Sequence, residues 1–158
     1  IHFCLKNPAL SAAVFDLPTT RPFAEKTIAR FHLDRRVTFS AGDYHSDDIP
    51  GRFDVAWLSH ILHADGPDAC LRLIRKAVGA LEPGGLIIVH EFILDDTLDG
   101  PVFPALFSLN MLVATPEGSS YSVIEYTDWL SAAGFIDVRH ITLPGPTGLI
   151  TGQRPEMR

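Results

Sequence analysis

Four short stretches rich in apolar residues, separated by polar and turn-forming segments, set the predicted architecture of this chain. Each has the length of a strand, and the last is a continuous apolar run of the kind that is buried on both faces of a sheet. They lie at residues 12–15, 37–41, 53–58 and 86–92. Two further stretches, 137–143 and 148–151, flank the turn-forming segment 144–146 and predict a terminal hairpin.

The segments between these stretches have helical spacing and helix-end signals. Residues 67–81 follow Gly66 and stop at the turn 82–85. The core stripe predicted for this helix consists of Leu71, Ile74, Val78 and Leu81. Residues 105–114 are apolar nearly all round, which predicts a helix that is buried or lines a cavity. The alternation of strands and helices predicts an α/β fold, with an open, mostly parallel sheet and helices on both faces.

Composition narrows the function classes. The chain has 158 residues, enough for one compact domain, and a formal net charge of −6, which argues against a nucleic-acid partner. Cys4 and Cys70 lie in apolar contexts and are expected to be reduced core thiols. Without a signal-peptide pattern or an apolar run long enough to cross a bilayer, we expect a cytoplasmic protein with no membrane partner.

Ionisable residues follow several of the predicted strands. Asp16, Asp43, His63 and Glu91 each come at or after the carboxyl end of an apolar stretch, where open α/β sheets bind their ligands, and we expect them to converge on one crevice. Asp16 there is suited to accept hydrogen bonds from ribose hydroxyls, and Asp43 from an adenine amino group. Two plainer interpretations stay open, because an acid often begins a helix and Asp43 is equally an ordinary turn residue.

His63 is the sharpest candidate for chemistry. Histidine titrates near neutrality and can take a proton from a hydroxyl, and Glu91 at the end of the neighbouring strand can orient its imidazole. A solvated histidine at a strand-to-helix corner is the plain alternative. A metal site is a third, weaker one, because His60, His63 and Asp65 form a His-x-x-His-x-Asp run.

A group of large apolar residues and the absence of two glycine motifs bear on the kind of ligand that the chain binds. Phe103, Phe107, Met111 and Trp129 suit either an apolar substrate pocket or ordinary core packing. No Gly-x-Gly occurs anywhere in the sequence, so the phosphate-binding loops of dinucleotide and ATP enzymes have no counterpart here. A Gly-x-Ser-x-Gly nucleophile elbow is also absent from the sequence.

A set of motifs in fixed order gives the chain a family resemblance. The motifs are Phe15–Pro18, Gly42-Asp43, Leu58–His63, Pro83–Gly85, the strand ending in Glu91, Leu106–Met111 and Ala133–Phe135. Together they resemble the catalytic domain of the S-adenosylmethionine-dependent O-methyltransferases of the plant caffeate and bacterial polyketide-tailoring type. The likeness spans about residues 1–152 and implies a Rossmann-like class I methyltransferase sheet.

The resemblance also assigns roles. His63 matches the general base that deprotonates the acceptor hydroxyl, and Glu91 matches an acid that holds it. The implied cofactor contacts, for S-adenosyl-L-methionine, are Asp16, Leu17, Gly42, Asp43, Tyr44 and Ser59, the last of which stands where many members have a lysine. The implied substrate contacts are Phe107, Asn110 and Met111, and no metal is implied.

Two departures from the family pattern concern the base. Ala64-Asp65 stands where the family usually has Asp followed by Trp, and Ser120 falls on a second orienting Glu of the plant enzymes. Both predict weaker acid–base catalysis, although methyl transfer from a sulfonium can rest largely on proximity and orientation.

Family members place a first strand, a glycine-rich loop and an N-terminal dimerisation domain before the part matched here. The chain is therefore expected to be a single, partial Rossmann-like domain, residues 1–158, without that strand, and part of a homodimer. As a fragment alone it is expected to be poorly active.

The resemblance implies transfer of a methyl group to a hydroxyl of an aromatic or other small organic acceptor. A degenerate methyltransferase-like module for binding or dimerisation is the first alternative. An NAD-dependent α/β enzyme is a weaker alternative, because the sequence has no Gly-x-Gly.

Overall fold

In the computed structural model, which describes residues 1–156, the chain divides after Pro50 into two units. The first unit contains α1 (His2–Lys6), β1 (Ala12–Asp16), α2 (Arg21–Arg30) and β2 (Val37–Ala41). β1 and β2 pair in parallel, with Asp16 opposite Ala41. Its core consists of Cys4, Ile28, Leu33 and Val37. Because the two strands are parallel, the residues that follow them emerge at the same edge of this small sheet.

The second unit contains a mixed sheet. Its elements are β3 (Phe53–Ser59), α3 (Pro67–Ala80), β4 (Leu81–Leu94), α4 (Val102–Ala114), β5 (Tyr121–Ser122), α5 (Val123–Ala132), β6 (Ile136–Thr142) and β7 (Thr147–Gln153). The strand order is β3-β4-β7-β6, and the two-residue β5 pairs with the end of β4. β3 and β5 run parallel to β4, whereas β7 is antiparallel to both β4 and β6. The α/β class with its mixed sheet and terminal hairpin confirms the prediction.

Strand periodicity brings a carboxylate into the interior of the second unit. Alternate residues of a strand point to the same face, and Ile87, Val89 and Glu91 are each 0% exposed. Glu91 therefore continues a buried face of β4 and needs polar partners there, because an unpaired buried charge is costly.

The buried residues of α3 are not the ones that the sequence pattern predicts. Its buried residues are Cys70, Leu73, Ile74, Ala77 and Ala80, while Leu71 and Val78 are only half-buried. The predicted stripe was wrong except for Ile74 within the helix, and Leu81 is buried as the first residue of β4. Cys70, Leu73, Ala77 and Ala80 also follow helical spacing, so the sequence offers two adjacent apolar stripes, and the structure buries this one.

The apolar helix α4 is less buried than predicted. Only Pro104 and Met111 are buried, whereas Leu112 and Val113 are 72% and 88% exposed. One side of α4 lines a pocket of about 250 Å³ together with β5. Of the two predicted alternatives, a buried helix or a helix that lines a cavity, the second therefore describes α4 better. Among the described residues, no helix is both long and apolar enough to cross a membrane.

Helix α5 begins with a capping box, whose Ser-x-x-Glu pattern from Ser122 to Glu125 is also a signature in the sequence. The Ser122 hydroxyl accepts the Glu125 N–H, and the Glu125 carboxylate accepts the Ser122 N–H. This reciprocal pair satisfies two backbone donors that a helix N-terminus otherwise leaves open. It also fixes β5 directly before the helix, at the end of β4.

Candidate active site

The turn after β3 carries the two histidines of the site. The His60 N–H donates to the His90 carbonyl at 3.0 Å, and His60 then adopts a left-handed conformation with φ of 54°. Histidine is one of the residues enriched in this region, which most side chains avoid. The chain turns back into a 3-10 turn, Leu62–Ala64, so that His60 and His63 both lie beside the end of β4.

The buried Glu91 carboxylate organises this turn. Its Oε1 accepts the Leu62 N–H at 3.0 Å, and its Oε2 lies 2.8 Å from His63 Nδ1. An ionised carboxylate only accepts, so His63 Nδ1 carries the proton, and in the neutral imidazole Nε2 presents a lone pair. His60 Nδ1 lies 3.5 Å from the same Oε2. The arrangement can accept a proton at His63 Nε2 and stabilise the resulting charge.

An aromatic side chain packs against the base candidate. The Phe107 ring meets His63 edge-on with centroids 4.8 Å apart, and Phe92 lies 4.6 Å from Phe107. The His63 side chain is 14% exposed. Water is therefore largely excluded, which strengthens the electrostatic effect of Glu91 on the imidazole.

The predicted substrate residues on α4 fall in different environments. Phe107 contacts His63, as described, and Asn110 is exposed on the helix surface. Met111 is 8% exposed and belongs to the core, and its carbonyl accepts the Thr115 N–H. The structure thus brings Phe107, but not Asn110 or Met111, into ring contact with the base candidate.

Cys70 is hydrogen bonded to the turn that carries His63. Its thiol donates to the Leu62 carbonyl at 3.1 Å, and the Tyr121 hydroxyl donates to the Asp65 carbonyl at 2.5 Å. Burial, followed by the neighbouring Asp65 and Glu91 carboxylates, raises the pKa of Cys70 to about 12 from its usual 9.0. The free, buried thiols of Cys4 and Cys70 match the cysteine prediction.

Because the folded state raises the pKa of Cys70, we expect its contribution to stability to be lost in alkali. Below pH 9 both folded and unfolded thiols are protonated. Between pH 9.0 and about 12 only the unfolded thiol ionises, and the free energy of unfolding falls by about 1.4 kcal/mol per pH unit. Urea unfolding at pH 8.5 and 10.5 measures the loss. The Cys70→Ala variant, the matched control, should lose less over that interval, and an equal loss would contradict this role.

The predicted cofactor residues of the first unit gather at one edge of its sheet. The Gly42 N–H donates to the Asp16 carbonyl at 3.0 Å, and Asp16 Oδ1 accepts the Leu17 N–H at 2.7 Å. Asp43 Oδ1 accepts the His45 N–H, and the ring of Tyr44 lies 4.3 Å from that of His45. Each carboxylate has capacity for several further donors. Carboxylates that follow neighbouring parallel strands suit the hydroxyl and amino donors of a nucleoside.

Gly42 holds its position for a steric reason. A Cβ there would overlap the Phe15 ring, so any other residue would displace that ring or the strand end. The close approach places Asp43 one residue beyond the Gly42 N–H that donates to the Asp16 carbonyl. Gly42 therefore acts on the carboxylate edge through backbone packing.

Ser59, the last predicted cofactor residue, lies in the second unit. Its hydroxyl is hydrogen bonded to His90 Nδ1 at 2.9 Å, and His90 Nε2 is hydrogen bonded to Thr147 at 3.1 Å. Burial, and then His60, lower the pKa of His90, while Glu91 partly opposes the shift. A neutral His90 agrees with these two hydroxyl partners. Ser59 is thus part of a polar chain across three strands, which the sequence did not reveal.

Two further positions bear on the sequence-based hypotheses. Ser120, which falls on the second orienting Glu of the plant enzymes, is 2% exposed, and its hydroxyl has no hydrogen-bond partner among the described residues. The metal hypothesis named Asp65 as third ligand. In the described chain the clustered groups are His60, His63 and Glu91, because β4 rather than the turn supplies the carboxylate.

Comparison with known proteins gives the chain its relatives. A family model described as an O-methyltransferase domain matches residues 2–136. The tetracenomycin polyketide synthesis 8-O-methyl transferase TcmO of Streptomyces glaucescens is 38% identical over 154 residues, which cover 98% of this chain and 45% of that protein. The 3-hydroxy-5-methyl-1-naphthoate 3-O-methyltransferase of Streptomyces sahachiroi is 37% identical, with 96% and 44% covered.

A solved structure has a similar fold. Human N-acetylserotonin methyltransferase in complex with SAM has a TM-score of 0.86 and 30% identity, over 96% of this chain and 43% of that one. The chain thus spans less than half the length of the relatives it matches.

Proposed function

Because this chain belongs to the O-methyltransferase domain family, we propose that the protein containing it transfers a methyl group from S-adenosyl-L-methionine to a hydroxyl of an aromatic or other small organic acceptor. We further propose that residues 1–158 are part of one methyltransferase domain. The observation that carries the proposal is the hydrogen bond between His63 and the fully buried Glu91, together with the Phe107 ring that packs against His63.

The chemistry assigned to this pair is a single proton transfer. His63 Nε2 takes the proton of the acceptor hydroxyl as its oxygen attacks the methyl carbon, and the bond from that carbon to the leaving sulfur breaks. The bound cofactor supplies the electrophilic methyl group. Glu91 keeps the Nδ1–H tautomer in place and balances the imidazolium charge. A positioned base of this kind typically contributes about 10²–10⁴-fold to rate.

The carboxylate edge of the first unit suits the nucleoside part of the cofactor. Asp16 is proposed to accept the ribose hydroxyls, and Asp43 the adenine amino group. Leu17, which is 41% exposed, and Tyr44 offer apolar surface to the adenine ring, and Gly42 maintains the edge. Ser59 of the second unit is also proposed as a cofactor contact. Its hydroxyl is hydrogen bonded to His90 and can form a further hydrogen bond with the cofactor.

The acceptor is proposed to be a phenolic small molecule. Phe107 presents a ring to His63, and Asn110 and Met111 are the further substrate residues proposed on α4. The relatives named above act on a naphthoate and on N-acetylserotonin. We also propose a cytoplasmic homodimer without nucleic-acid or membrane partners, which the net charge of −6 and the exposed apolar residues of α4 support.

Titration calorimetry with S-adenosylhomocysteine tests the cofactor assignment. We expect the full-length protein to bind it, and the Asp16→Ala variant to bind about 10–100-fold more weakly, because hydrogen bonds to a charged group contribute about 1.5–3 kcal/mol each. Asp34→Ala is the matched control, because Asp34 is an exposed acid of the same unit, and should bind as the parent does.

Absence of binding by the full-length protein would contradict the cofactor assignment. Together with a stable dimer in light scattering, that result would favour the non-catalytic module. Methylation of 3-hydroxy-5-methyl-1-naphthoate, N-acetylserotonin or a related phenol then tests the transfer itself.

A further inference from the structure

Three metal-ligating groups converge at the turn after β3. The candidate ligand atoms of His60, His63 and Glu91 all lie within 4.8 Å of one another. Glu91 Oε2 lies 2.8 Å from His63 Nδ1 and 3.5 Å from His60 Nδ1. The methyl-transfer chemistry proposed above uses one of these histidines and leaves His60 without a role.

We propose that this cluster binds Zn²⁺, with His60 Nδ1, His63 Nδ1 and a Glu91 carboxylate oxygen as ligands, and that the bound ion reversibly blocks methyl transfer. The binding site stands on its own geometry. The inhibitory consequence rests on the proposed function of His63.

The spacing of the three groups is close to that of a zinc site. Donor atoms about 2.1 Å from a tetrahedral zinc ion lie about 3.4 Å from each other. The observed separations from Oε2, 2.8 and 3.5 Å, lie on either side of this value, and the ligand atoms of the two histidines lie within 4.8 Å of each other. Side-chain rotations that bring the two imidazoles closer together admit the ion, which replaces the hydrogen bond between His63 and Glu91.

The ligands are already held in place. Glu91 is fixed by the Leu62 N–H on its other oxygen, which is the kind of support that orients metal-binding carboxylates. His60 is held by its left-handed backbone and by ring contacts with His90 and Phe92 at 4.7 and 4.8 Å. Non-glycine residues in this conformation are found disproportionately at functional sites.

The donor set selects the class of metal. Two imidazole nitrogens and one carboxylate oxygen suit zinc and neighbouring transition metals, whereas magnesium and calcium prefer oxygen ligands. The single carboxylate leaves the site with one net positive charge when Zn²⁺ is bound. Since the His60 side chain is 35% exposed, the ion can reach the cluster from solvent.

Metal binding and base catalysis make opposite demands on His63. As a base, His63 carries its proton on Nδ1, which donates to Glu91, and accepts at Nε2. As a zinc ligand through Nδ1, the neutral imidazole must carry its proton on Nε2. An Nε2–H cannot take a proton from an acceptor hydroxyl. The two states therefore exclude each other, and zinc acts as a reversible inhibitor.

Cobalt substitution tests the binding site. We expect Co²⁺ added to the full-length protein to give the visible absorption of a low-coordinate cobalt–imidazole site, and zinc to displace it. His60→Asn removes one ligand and keeps a residue that tolerates the left-handed backbone. It should weaken cobalt binding at least tenfold. His140→Asn, at an exposed histidine of β6, is the matched control and should bind as the parent does.

Equal cobalt affinity in His60→Asn and the parent would overturn the site, as would the absence of any cobalt absorption. A wild-type measurement removes dependence on the variant's folding. Imidazole ¹⁵N spectra should show zinc shifting the Nδ1 signals of two histidines together, and shifts confined to other histidines would also overturn the site.

Inhibition is tested by comparing the methyl-transfer rate of each protein with and without Zn²⁺. We expect a stoichiometric excess of Zn²⁺ to lower methyl transfer by the parent and by His140→Asn at least tenfold, and transfer by His60→Asn by less than twofold. Cobalt bound at the cluster without inhibition would overturn the regulatory claim alone. A metal-free parent that transfers no methyl group to any tested phenol would refute the proposed function, and the cobalt arm would still decide the site.

Discussion

Replacing His63 with alanine is expected to lower the turnover of the full-length protein by about 10²–10⁴-fold, the contribution typical of a positioned general base. The affinity for S-adenosylhomocysteine should stay within about twofold, because His63 lies at the acceptor side of the proposed chemistry and donates to Glu91. Steady-state rates with a phenolic acceptor and calorimetry with S-adenosylhomocysteine measure the two quantities separately.

A second variant separates the chemistry of His63 from its packing. Alanine leaves the buried Glu91 with one fewer donor, which costs stability by about 1–3 kcal/mol. His63→Gln keeps an N–H that can donate to Glu91 but offers no basic nitrogen, so it should be nearly as stable as the parent and as inactive as His63→Ala. Turnover by His63→Gln at the parental level would mean that His63 has a structural role only.

The fold was predictable where a local pattern decides the outcome. The apolar stretches, the hairpin and the capping box of Ser122 with Glu125 each depend on neighbouring residues and were found from the sequence. The two-residue strand β5 was missed, because its pairing with Ile93 and Leu94 is long-range and too short to leave a period. The buried face of α3 was wrong because two adjacent apolar stripes follow helical spacing there, and long-range packing decides which of them is buried.

The site was predictable as a list of residues and less so as an arrangement. His63 and Glu91 were identified because each lies at or shortly after the carboxyl end of a predicted strand, and the structure joins them at 2.8 Å. The approach of His60 to the same carboxylate depends on a left-handed residue, and no sequence pattern specifies φ at a histidine. The Leu62 N–H that fixes Glu91 is a backbone group, which has no signature in a sequence.

The Glu91→Gln variant is expected to lower turnover by about 10²–10⁴-fold with little loss of stability. The glutamine oxygen can still accept the Leu62 N–H, so the buried position stays satisfied on that side. On the other side, the amide group donates to His63 Nδ1, and the imidazole proton moves to Nε2, where it blocks proton transfer. An acid-to-amide change that traps a catalytic histidine in the wrong tautomer has an effect of this size in serine proteases.

Glu82→Gln is the matched control, because Glu82 lies on the same strand and is exposed. It should leave both turnover and the free energy of unfolding unchanged. Turnover of Glu91→Gln within a few-fold of the parent would show that the tautomer of His63 does not limit the reaction. Catalysis would then rest on proximity and orientation of the reactants alone, which the two departures from the family pattern at Ala64 and Ser120 already favour.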